Sequence, residues 1–213
     1  LSRGTSEYHA LIFALNRRMA NRLDVSASYT LAKATSIIGS AADEMDANLV
    51  QDVREPFGSV QDAPLTRTDG RHRVSLSAIV EAPFGIDVAP MFLYQSALPT
   101  HSFEGLDLNV DGNVNDKTAR AYRYTGLNAD GTARFEENGS CATVNCSRRA
   151  PYSQLNLRLS RGFQLAGSAR VEAIAEVFNL LNAKNPWIPL TTRRLSATGA
   201  PLTSFMQPTA FAG

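Results

Sequence analysis

The feature that most constrains this fold is the alternation of apolar and polar residues between positions 73 and 94. From 73 to 84 the alternation is interrupted only at Ile79, and after Pro83-Phe84-Gly85 it resumes from 86 to 94. A period of two residues is typical of β-strands, and proline with glycine between two such runs predicts a hairpin. Each arm has about the length of a tilted strand that crosses a membrane. One apolar and one polar face are typical of a barrel with lipid outside and a polar lumen.

The same alternation predicts four more long strands. They cover residues 8–18, 23–32, 152–161 and 169–180. We therefore predict an all-β fold, an antiparallel up-and-down meander of about six long strands that forms part of a transmembrane β-barrel. Each strand should pair with its neighbours in the sequence. Since the smallest common membrane barrels have about eight strands, six should form a curved open sheet with two exposed edges.

The connections between these strands alternate between short and long. Residues 19–22, 83–85 and 162–168 are short links, whereas residues 33–68 and 96–150 are long and polar. Outer-membrane barrels combine short periplasmic turns with long extracellular loops. Compact soluble domains rarely carry two connections of this length, which disfavours the alternative of a soluble sandwich.

Aromatic residues at the strand ends predict the two girdles of a membrane barrel. Tyr94 and Tyr152 lie on the long-loop side, and Phe84 and Phe163 lie on the short-turn side. Tyrosine and phenylalanine at both membrane interfaces are typical of such barrels.

Period two also predicts which side chains face lipid. The outward set is Val74, Leu76, Val80, Leu155, Leu157, Leu159 and Val171, and the inward set is Ser75, Ser77, Asn156, Arg158, Glu172 and Glu176. A shift of one residue would place Arg158 in hydrocarbon, which costs about 2–4 kcal/mol. Pro90 interrupts one of these strands, and we expect a bulge or a missing ladder bond there because proline has no N–H.

Composition sets broad limits. The chain has 213 residues, of which 44% are hydrophobic and 19% charged, and this suits one large all-β domain. A net charge of +1 gives no argument for nucleic-acid binding, which requires a strong basic excess. Uncharged runs are short and interrupted by proline, so no transmembrane helix is predicted. Because the chain begins at Leu1, without Met and without a signal peptide, we expect it to be either processed or, as the preferred interpretation, a piece of a longer protein.

Six short motifs lie along the predicted strands and turns. They are YHALIFALNRR at 8–18 followed by ASYTLAKA at 27–34, then DGRHR at 69–73, APFG at 82–85, YQS at 94–96 and EAIAEVFNLLN at 172–182. These motifs resemble TonB-dependent outer-membrane receptors, above all the Oar-like branch whose members often carry an N-terminal carboxypeptidase-regulatory-like domain. The last motif resembles the "EvFNlfN" strand near the C-terminus of the family. The matches cover nearly every predicted strand and occur in the family's order.

The resemblance implies that residues 1–213 are a C-terminal fragment of a receptor barrel in the outer membrane of a Gram-negative bacterium. The plug domain, the TonB box and most of the barrel are expected upstream of Leu1, and the closing strand is expected to lie outside these residues. The implied partners are outer-membrane lipid, TonB through the plug, and an extracellular solute captured by residues 33–68 and 96–150. Siderophore, oligosaccharide and peptide all remain open, and the Oar-like branch favours peptide or saccharide. The acidic excess of residues 33–68 disfavours an anionic ligand at that loop unless a bound cation intervenes. A structural or adhesive barrel without active transport is the alternative.

One loop segment has the pattern of a calcium site. Oxygen ligands alternate and Gly112 stands at the turn; the candidate ligands are Asp107, Asn109, Asp111, Asn113 and Asn115. Thr118 occupies the position of the bidentate glutamate, and a plain Asp/Asn/Gly turn explains the same residues. No other cofactor is expected.

Cys141 and Cys146 lie in the same long loop. Two cysteines are too few for a structural zinc site, and in an oxidising compartment we expect them to form a disulfide.

No catalytic residues are predicted, and we do not expect an enzyme. Arg158, Arg170, Glu172 and Glu176 occupy the polar faces of the last two strands; paired carboxylates suit acid–base chemistry, but an ion-pair ladder across strands is the commoner arrangement. His9, His72 and His101 are scattered, and no hydrolase or metalloprotease motif occurs. Trp187 with Arg193 and Arg194 could form a ligand-binding group, but an ordered extracellular loop is the preferred interpretation.

Overall fold

The computed structural model describes residues 6–36, 63–64, 69–100, 102–108, 110, 112, 118–141, 145–187, 198–208 and 210–212. The regular structure of these residues is β-sheet, apart from a single 3₁₀ turn at Pro83–Gly85. Within these ranges, no helix is long and apolar enough to cross a membrane.

Six long strands form the main sheet. They are β1 (Ser6–Ala20), β2 (Leu23–Ser36), β4 (His72–Ala82), β5 (Ile86–Gln95), β10 (Tyr152–Gln164) and β11 (Arg170–Val177). All neighbours are antiparallel and follow the order β1-β2-β4-β5-β10-β11, while the short β3 (Ala63–Pro64) pairs with the end of β2. The predicted all-β antiparallel meander of six long strands is therefore confirmed.

Several strand boundaries differ from the sequence prediction. β1 is longer at both ends (Ser6–Ala20), and β2 continues to Ser36. β10 continues to Gln164 through Gly162 and Phe163, which were predicted as turn residues. β11 ends at Val177, short of the predicted Leu180, because Asn179 takes a positive φ of 50° that a strand cannot accommodate.

Apart from a shift in the β1–β2 pairing between Arg17 and Ala20, the register is continuous across the sheet and separates its two faces. Directly paired residues share a face, and one row of such pairs runs Leu15, Ala27, Leu76, Phe92 and Leu155. The next residue along each strand belongs to a polar row of Ala14, Ser28, Ser75, Leu93 and Gln154. All residues predicted to point outward lie on the first face, and all those predicted to point inward lie on the second. We call them the apolar face and the polar face.

Pro90 interrupts the ladder on one side only. β4 and β5 pair at Ser77 with Met91 and again at Val80 with Val88, with no pair between, and the register is the same on both sides of the gap. On the other side Pro90 still pairs with Leu157. The expected missing ladder bond is confirmed, and no bulge accompanies it. The missing proline N–H faces β4.

The short links are tight hairpins. Asn21 and Arg22, between β1 and β2, both have positive φ (51° and 64°), as a two-residue type I′ turn requires. The carbonyl of Arg22 also accepts the N–H of Glu81 at 3.0 Å, which ties this turn to β4.

Residues 96–150, predicted as a loop, contain a second sheet in their described part. Its strands are β6 (Pro99–Thr100), β7 (Arg120–Leu127), β8 (Ala133–Ser140) and β9 (Ser147–Arg148), in the order β6-β9-β7-β8. β7 meets β9 in parallel, and its pairing with β8 changes register twice. Such short, irregular strands have no clean period, so the alternation rule misses them.

Residues 198–208 pack on this sheet and complete a small core. Met206 and Ala133 are buried, and Tyr122, Tyr124, Leu127, Phe135 and Phe205 pack against them. We call β6–β9 with residues 198–208 the loop lobe. A further pair, β12 (Asn185–Trp187) with β13 (Ala210–Ala212), forms a separate two-stranded sheet.

The predicted aromatic girdle is correct for Tyr94 and wrong for Tyr152. Tyr94 pairs with Val74 on the apolar face, whereas Tyr152 pairs with Gln95 on the polar face. The position at the end of β10 that shares the apolar face is Ser153, because side chains alternate. On the same face, Phe13 stacks with Tyr29 at 6.4 Å between ring centroids.

The two faces lead to a paired prediction on β4. Leu76→Arg places a charge on the apolar face in the middle of the strand and should lower the free energy of unfolding in lipid vesicles by about 2–4 kcal/mol. Ser75→Arg, its neighbour on the polar face, should change it by less than about 1 kcal/mol, as is usual for exposed positions. Chemical unfolding of the full-length protein in vesicles measures both; equal losses would contradict the assignment of faces.

Candidate functional site

The loop lobe is fastened to the main sheet by one buried carboxylate, Asp69. Its side chain is fully buried, and its Oδ1 accepts the N–H of Ala34 at 3.0 Å. Arg71 Nε lies 3.1 Å from Oδ1, and Arg148 Nη2 donates to Oδ2 at 3.0 Å. Arg148 comes from β9, so this ion pair joins the lobe to the long-loop end of β2 and β4. A buried carboxylate needs such partners because an unpaired buried charge is costly.

The second guanidinium nitrogen of Arg148 extends this contact. Its Nη1 donates to the carbonyl of Asp69 at 3.2 Å and to that of Ala97 at 3.4 Å. Arginine suits the position because its fixed fork of donors can satisfy several oxygens at once.

Gly70, next to Asp69, lies in a closely packed position. A Cβ at this position would lie 3.0 Å from Nε2 of Gln95. The DG pair of the DGRHR motif therefore has a structural role at the start of β4, where a long connection returns to the sheet.

Buried hydroxyl groups and a disulfide hold the lobe together. Ser102 Oγ lies 2.6 Å from Thr118 Oγ1, and Ser147 Oγ accepts the N–H of Tyr122 at 3.0 Å. The sulfur atoms of Cys141 and Cys146 are bonded at 2.04 Å, across a sequence separation of 5. Gln207 binds Ala133 twice, accepting its N–H at 2.9 Å and donating to its carbonyl at 3.1 Å.

Two groups of the lobe have shifted pKa values. Burial raises the pKa of the Tyr124 hydroxyl, and the positive charge of Arg134 opposes the shift. Hydrogen bonds from Thr132 hold the pKa of the Asp130 carboxyl below its ordinary value of 3.8. Both the hydroxyl and the N–H of Thr132 donate to Asp130 Oδ1, at 2.6 and 2.9 Å, in the turn between β7 and β8.

On the polar face, charged residues form the expected ion-pair ladder. Arg158 lies 3.5 Å from Glu176 and 3.9 Å from Glu172, and all three side chains are about half exposed. Arg170 lies over Gly162, where a Cβ would come within 2.7 Å of the guanidinium. Arg158, Glu172 and Glu176 are therefore paired with each other across β10 and β11.

Beside this ladder the polar face has a shallow depression of about 340 Å³. Its lining combines charged, polar and apolar groups, among them Asp24, Ser77, Ile79, Met91, Asn156, Arg158 and Glu176. The missing ladder bond at Pro90 lies at its floor.

Only part of the candidate calcium loop can be placed. Asp107 Oδ2 accepts the N–H of Gly112, five residues further along the chain, at 2.9 Å, and this bond is compatible with both interpretations of the segment. Asn109, Asp111, Asn113 and Asn115 lie outside the described residues, as do Arg193 and Arg194. In the part of the chain that the structure describes, no group of three or more His, Cys, Asp or Glu side chains could hold a metal. The calcium site therefore stays a prediction.

The end of β11 shows why its motif needs asparagines. Asn179 has a positive φ, and its side chain accepts the N–H of Ala183 at 2.9 Å and donates to its carbonyl at 3.1 Å. Asn156 Oδ1 accepts the N–H of Asn179 at 3.0 Å. Asparagine tolerates this left-handed conformation better than most residues.

Asn185 is a structural residue that the sequence interpretation missed. Its buried amide accepts the N–H of Ser153 and donates to the carbonyl of Ser153, both at 2.9 Å. It thereby replaces a strand beside β10 where β11 has ended. The sequence signal that could have identified Asn185 is its position shortly after the motif that resembles "FNlfN". Trp187, considered as a ligand group, lies in β12, whose backbone pairs with β13.

Comparison with known protein families agrees with this architecture. A model of the family described as outer membrane beta barrel domain matches residues 1–209. Among solved structures, the chain is similar to the outer membrane transporter YddB from Escherichia coli, with 12% sequence identity and a TM-score of 0.45. The similarity covers 98% of this chain and 24% of that one, so the chain spans about a quarter of its length. Comparison with curated proteins found no match.

The ion pair at Asp69 should contribute more to the free energy of unfolding than an ion pair on the surface. Asp69→Asn keeps the shape but leaves two guanidinium groups without a counter-charge, and it should lower the free energy of unfolding by about 3 kcal/mol. This is the lower end of the range for a broken buried pair, because the side chains of Arg71 and Arg148 are 42% and 24% exposed.

The matched control is Glu137→Gln, which breaks a 2.9 Å pair with Arg120 on the exposed surface of the lobe. That change should cost about 0–1 kcal/mol. Hydrogen exchange at the Ala34 amide, which binds Asp69, should accelerate only in Asp69→Asn. Unchanged exchange would mean that Asp69 does not hold the lobe.

The Asp130 turn should respond to pH in a defined direction. The pKa of the Asp130 carboxyl is lower in the folded protein than in the unfolded chain. The hydrogen bonds from Thr132 therefore stabilise the fold above pH 3.8, and this stabilisation disappears as the pH falls through the folded pKa. Thr132→Val removes one donor and should move the carboxyl pKa back towards 3.8, as measured by NMR titration of the carboxyl carbon. Thr125→Val, outside this turn, should leave the titration unchanged.

Proposed function

Because the chain belongs to the outer membrane β-barrel domain family, we propose that it is the barrel portion of a TonB-dependent receptor that takes up a scarce solute. The chain is located in the outer membrane, and its apolar face contacts lipid. In the proposed receptor this sheet is part of the wall, and energy reaches the protein through TonB and a plug domain.

The order of the family-like motifs carries this proposal. DGRHR enters β4 at the buried Asp69, APFG forms the next short turn, and EAIAEVFNLLN builds β11 with its asparagine turn. Each motif has a definite structural role, and the roles follow one another in the order in which the receptors have them. Agreement over several separated motifs is more specific than any one of them.

The polar face supports a passage for solute rather than a reaction centre. The charged groups described there form a ladder of half-exposed ion pairs, and Ser, Asn and Gln side chains occupy neighbouring rows. Catalysis requires a nucleophile or an acid–base pair that converge on one point. We therefore propose that the protein is a transporter and not an enzyme.

The loop lobe supports capture of the solute at the long-loop end. Its core, its disulfide and the Asp69 ion pair fix its shape and its position on the sheet. A rigid surface loses less conformational entropy on binding than a flexible loop. We propose a peptide or saccharide as the solute, following the Oar-like branch, with residues 33–68 as the second capture loop.

The deciding experiment is solute uptake in cells that carry the full-length gene, with and without TonB. Peptides, oligosaccharides and iron–siderophores are offered separately, and a strain with TonB restored is the control. Uptake of one class should require both the receptor gene and TonB. If deletion of TonB changes neither uptake nor growth on any of these solutes, a structural or adhesive barrel replaces the receptor.

A further inference from the structure

Two arginines interrupt the apolar face near its short-turn end. Arg161 pairs directly with Ile86 on one side and with Ala173 on the other, and Arg17 pairs with Val25. Their immediate cross-strand neighbours are therefore apolar. A charge on a lipid-facing surface is costly at the centre of the bilayer and is tolerated near the interfaces. The period-two pattern alone does not account for two charges at these positions.

Both arginines lie at the same distance from the short turns. Arg17 precedes Asn21 by four residues, and Arg161 precedes Leu165 by four residues. Since strands rise by about 3.3 Å per residue and tilt in a barrel, both side chains lie at a similar height, on the order of 10 Å above the turns. They belong to β1 and β10, at two separate places around the wall.

The protein itself provides these guanidinium groups with little neutralisation. Arg161 lies over the ring of Phe163, 4.8 Å from its centroid, and Arg17 donates to the carbonyl of Ala20 at 3.0 Å. Among the described residues, neither forms an ion pair with a carboxylate. Most of their hydrogen-bond donors therefore point to the surroundings of the barrel.

The charges on the two faces differ at this end of the sheet. In the described strands the acidic residues of the short-turn half lie on the polar face; they are Asp24, Glu81, Asp87, Glu172 and Glu176. Within the same described strands, the apolar face of that half carries only Arg17 and Arg161 as charged residues. An anion can therefore approach the arginines from the lipid side without meeting a carboxylate.

We propose that Arg17 and Arg161 bind the phosphate groups of phospholipids in the periplasmic leaflet of the outer membrane. Long side chains extend from an apolar surface towards the membrane interface, where the headgroups lie. Guanidinium suits phosphate because it donates two parallel hydrogen bonds. Phe163 supports Arg161 from below, at the level of an interfacial aromatic residue. The two arginines also fix the depth of the barrel, because the hydrocarbon boundary passes between Leu159 and Arg161.

The test uses the full-length protein and phosphatidylglycerol as the probe. Native mass spectrometry measures how much lipid the protein retains from phosphatidylglycerol, from phosphatidylcholine and from a phosphate-free galactolipid. The wild type should retain both phosphate lipids better than the galactolipid. Arg17→Gln with Arg161→Gln should weaken retention of phosphatidylglycerol about fivefold for each arginine removed, the usual contribution of a basic residue near an anionic surface.

Three controls distinguish phosphate binding by these two arginines from nonspecific association of lipid with the barrel. Arg158→Gln removes a guanidinium from the polar face and should leave lipid retention unchanged. Arg161→Lys keeps the charge and should retain most of the binding. If the double variant does not fold, the preference of the wild type for phosphate lipids over the galactolipid decides the case. Excess inorganic phosphate should not displace the lipid.

The proposal is overturned by any of three results: equal retention of galactolipid by the wild type, unchanged retention by the double variant, or displacement by free phosphate.

Discussion

The structure depends on one constraint: every backbone N–H and C=O in the main sheet needs a partner, because hydrocarbon offers none. Within the described sheet the four inner strands meet this requirement by pairing antiparallel on both sides, whereas β1 and β11 pair on one side each. Once the ladder is fixed, the period of two assigns each side chain to lipid or lumen. At two places the regular ladder is interrupted, and each interruption is accommodated locally. Proline removes one bond beside β4 without shifting the register, and the amide of Asn185 replaces a strand next to β10.

A second kind of interaction governs the long-loop end, where water can solvate the backbone and the ladder is no longer obligatory. There the fold relies on a few buried polar groups. Asp69 joins Ala34 in β2 to Arg71 and Arg148, and the hydroxyl groups of Ser102, Thr118 and Ser147 are buried together. Such networks are costly when incomplete and therefore specify one arrangement. The result is a lobe with a defined position on the sheet, although its core is small.

The distribution of charge links these parts to function. Ion pairs on the polar face are half exposed and contribute little to stability, but they keep that wall hydrophilic. In the described strands, the arginines of the apolar face lie near the short turns, where they meet the headgroup region. The three regions thus differ in what neutralises their charges. In the lumen it is a charged residue of the neighbouring strand, at the lipid boundary it is a lipid phosphate, and in the loop lobe it is the buried carboxylate of Asp69.

The sequence alone was sufficient for the six strands, their order, the two faces and the gap at Pro90, because a two-residue period acts locally and is visible in any strand that separates lipid from water. It also indicated the cysteine pair and the ladder of Arg158, Glu172 and Glu176. It could not show the lobe, the partners of Asp69 or the role of Asn185. Those features join residues far apart in the chain through short, irregular strands and single side-chain contacts. Whether Tyr152 faces lipid was likewise decided by register, since Gln95 lies opposite it. The local sequence pattern determined the main sheet. Only tertiary contacts determined the loop lobe and its attachment to the sheet, because those contacts follow no sequence period.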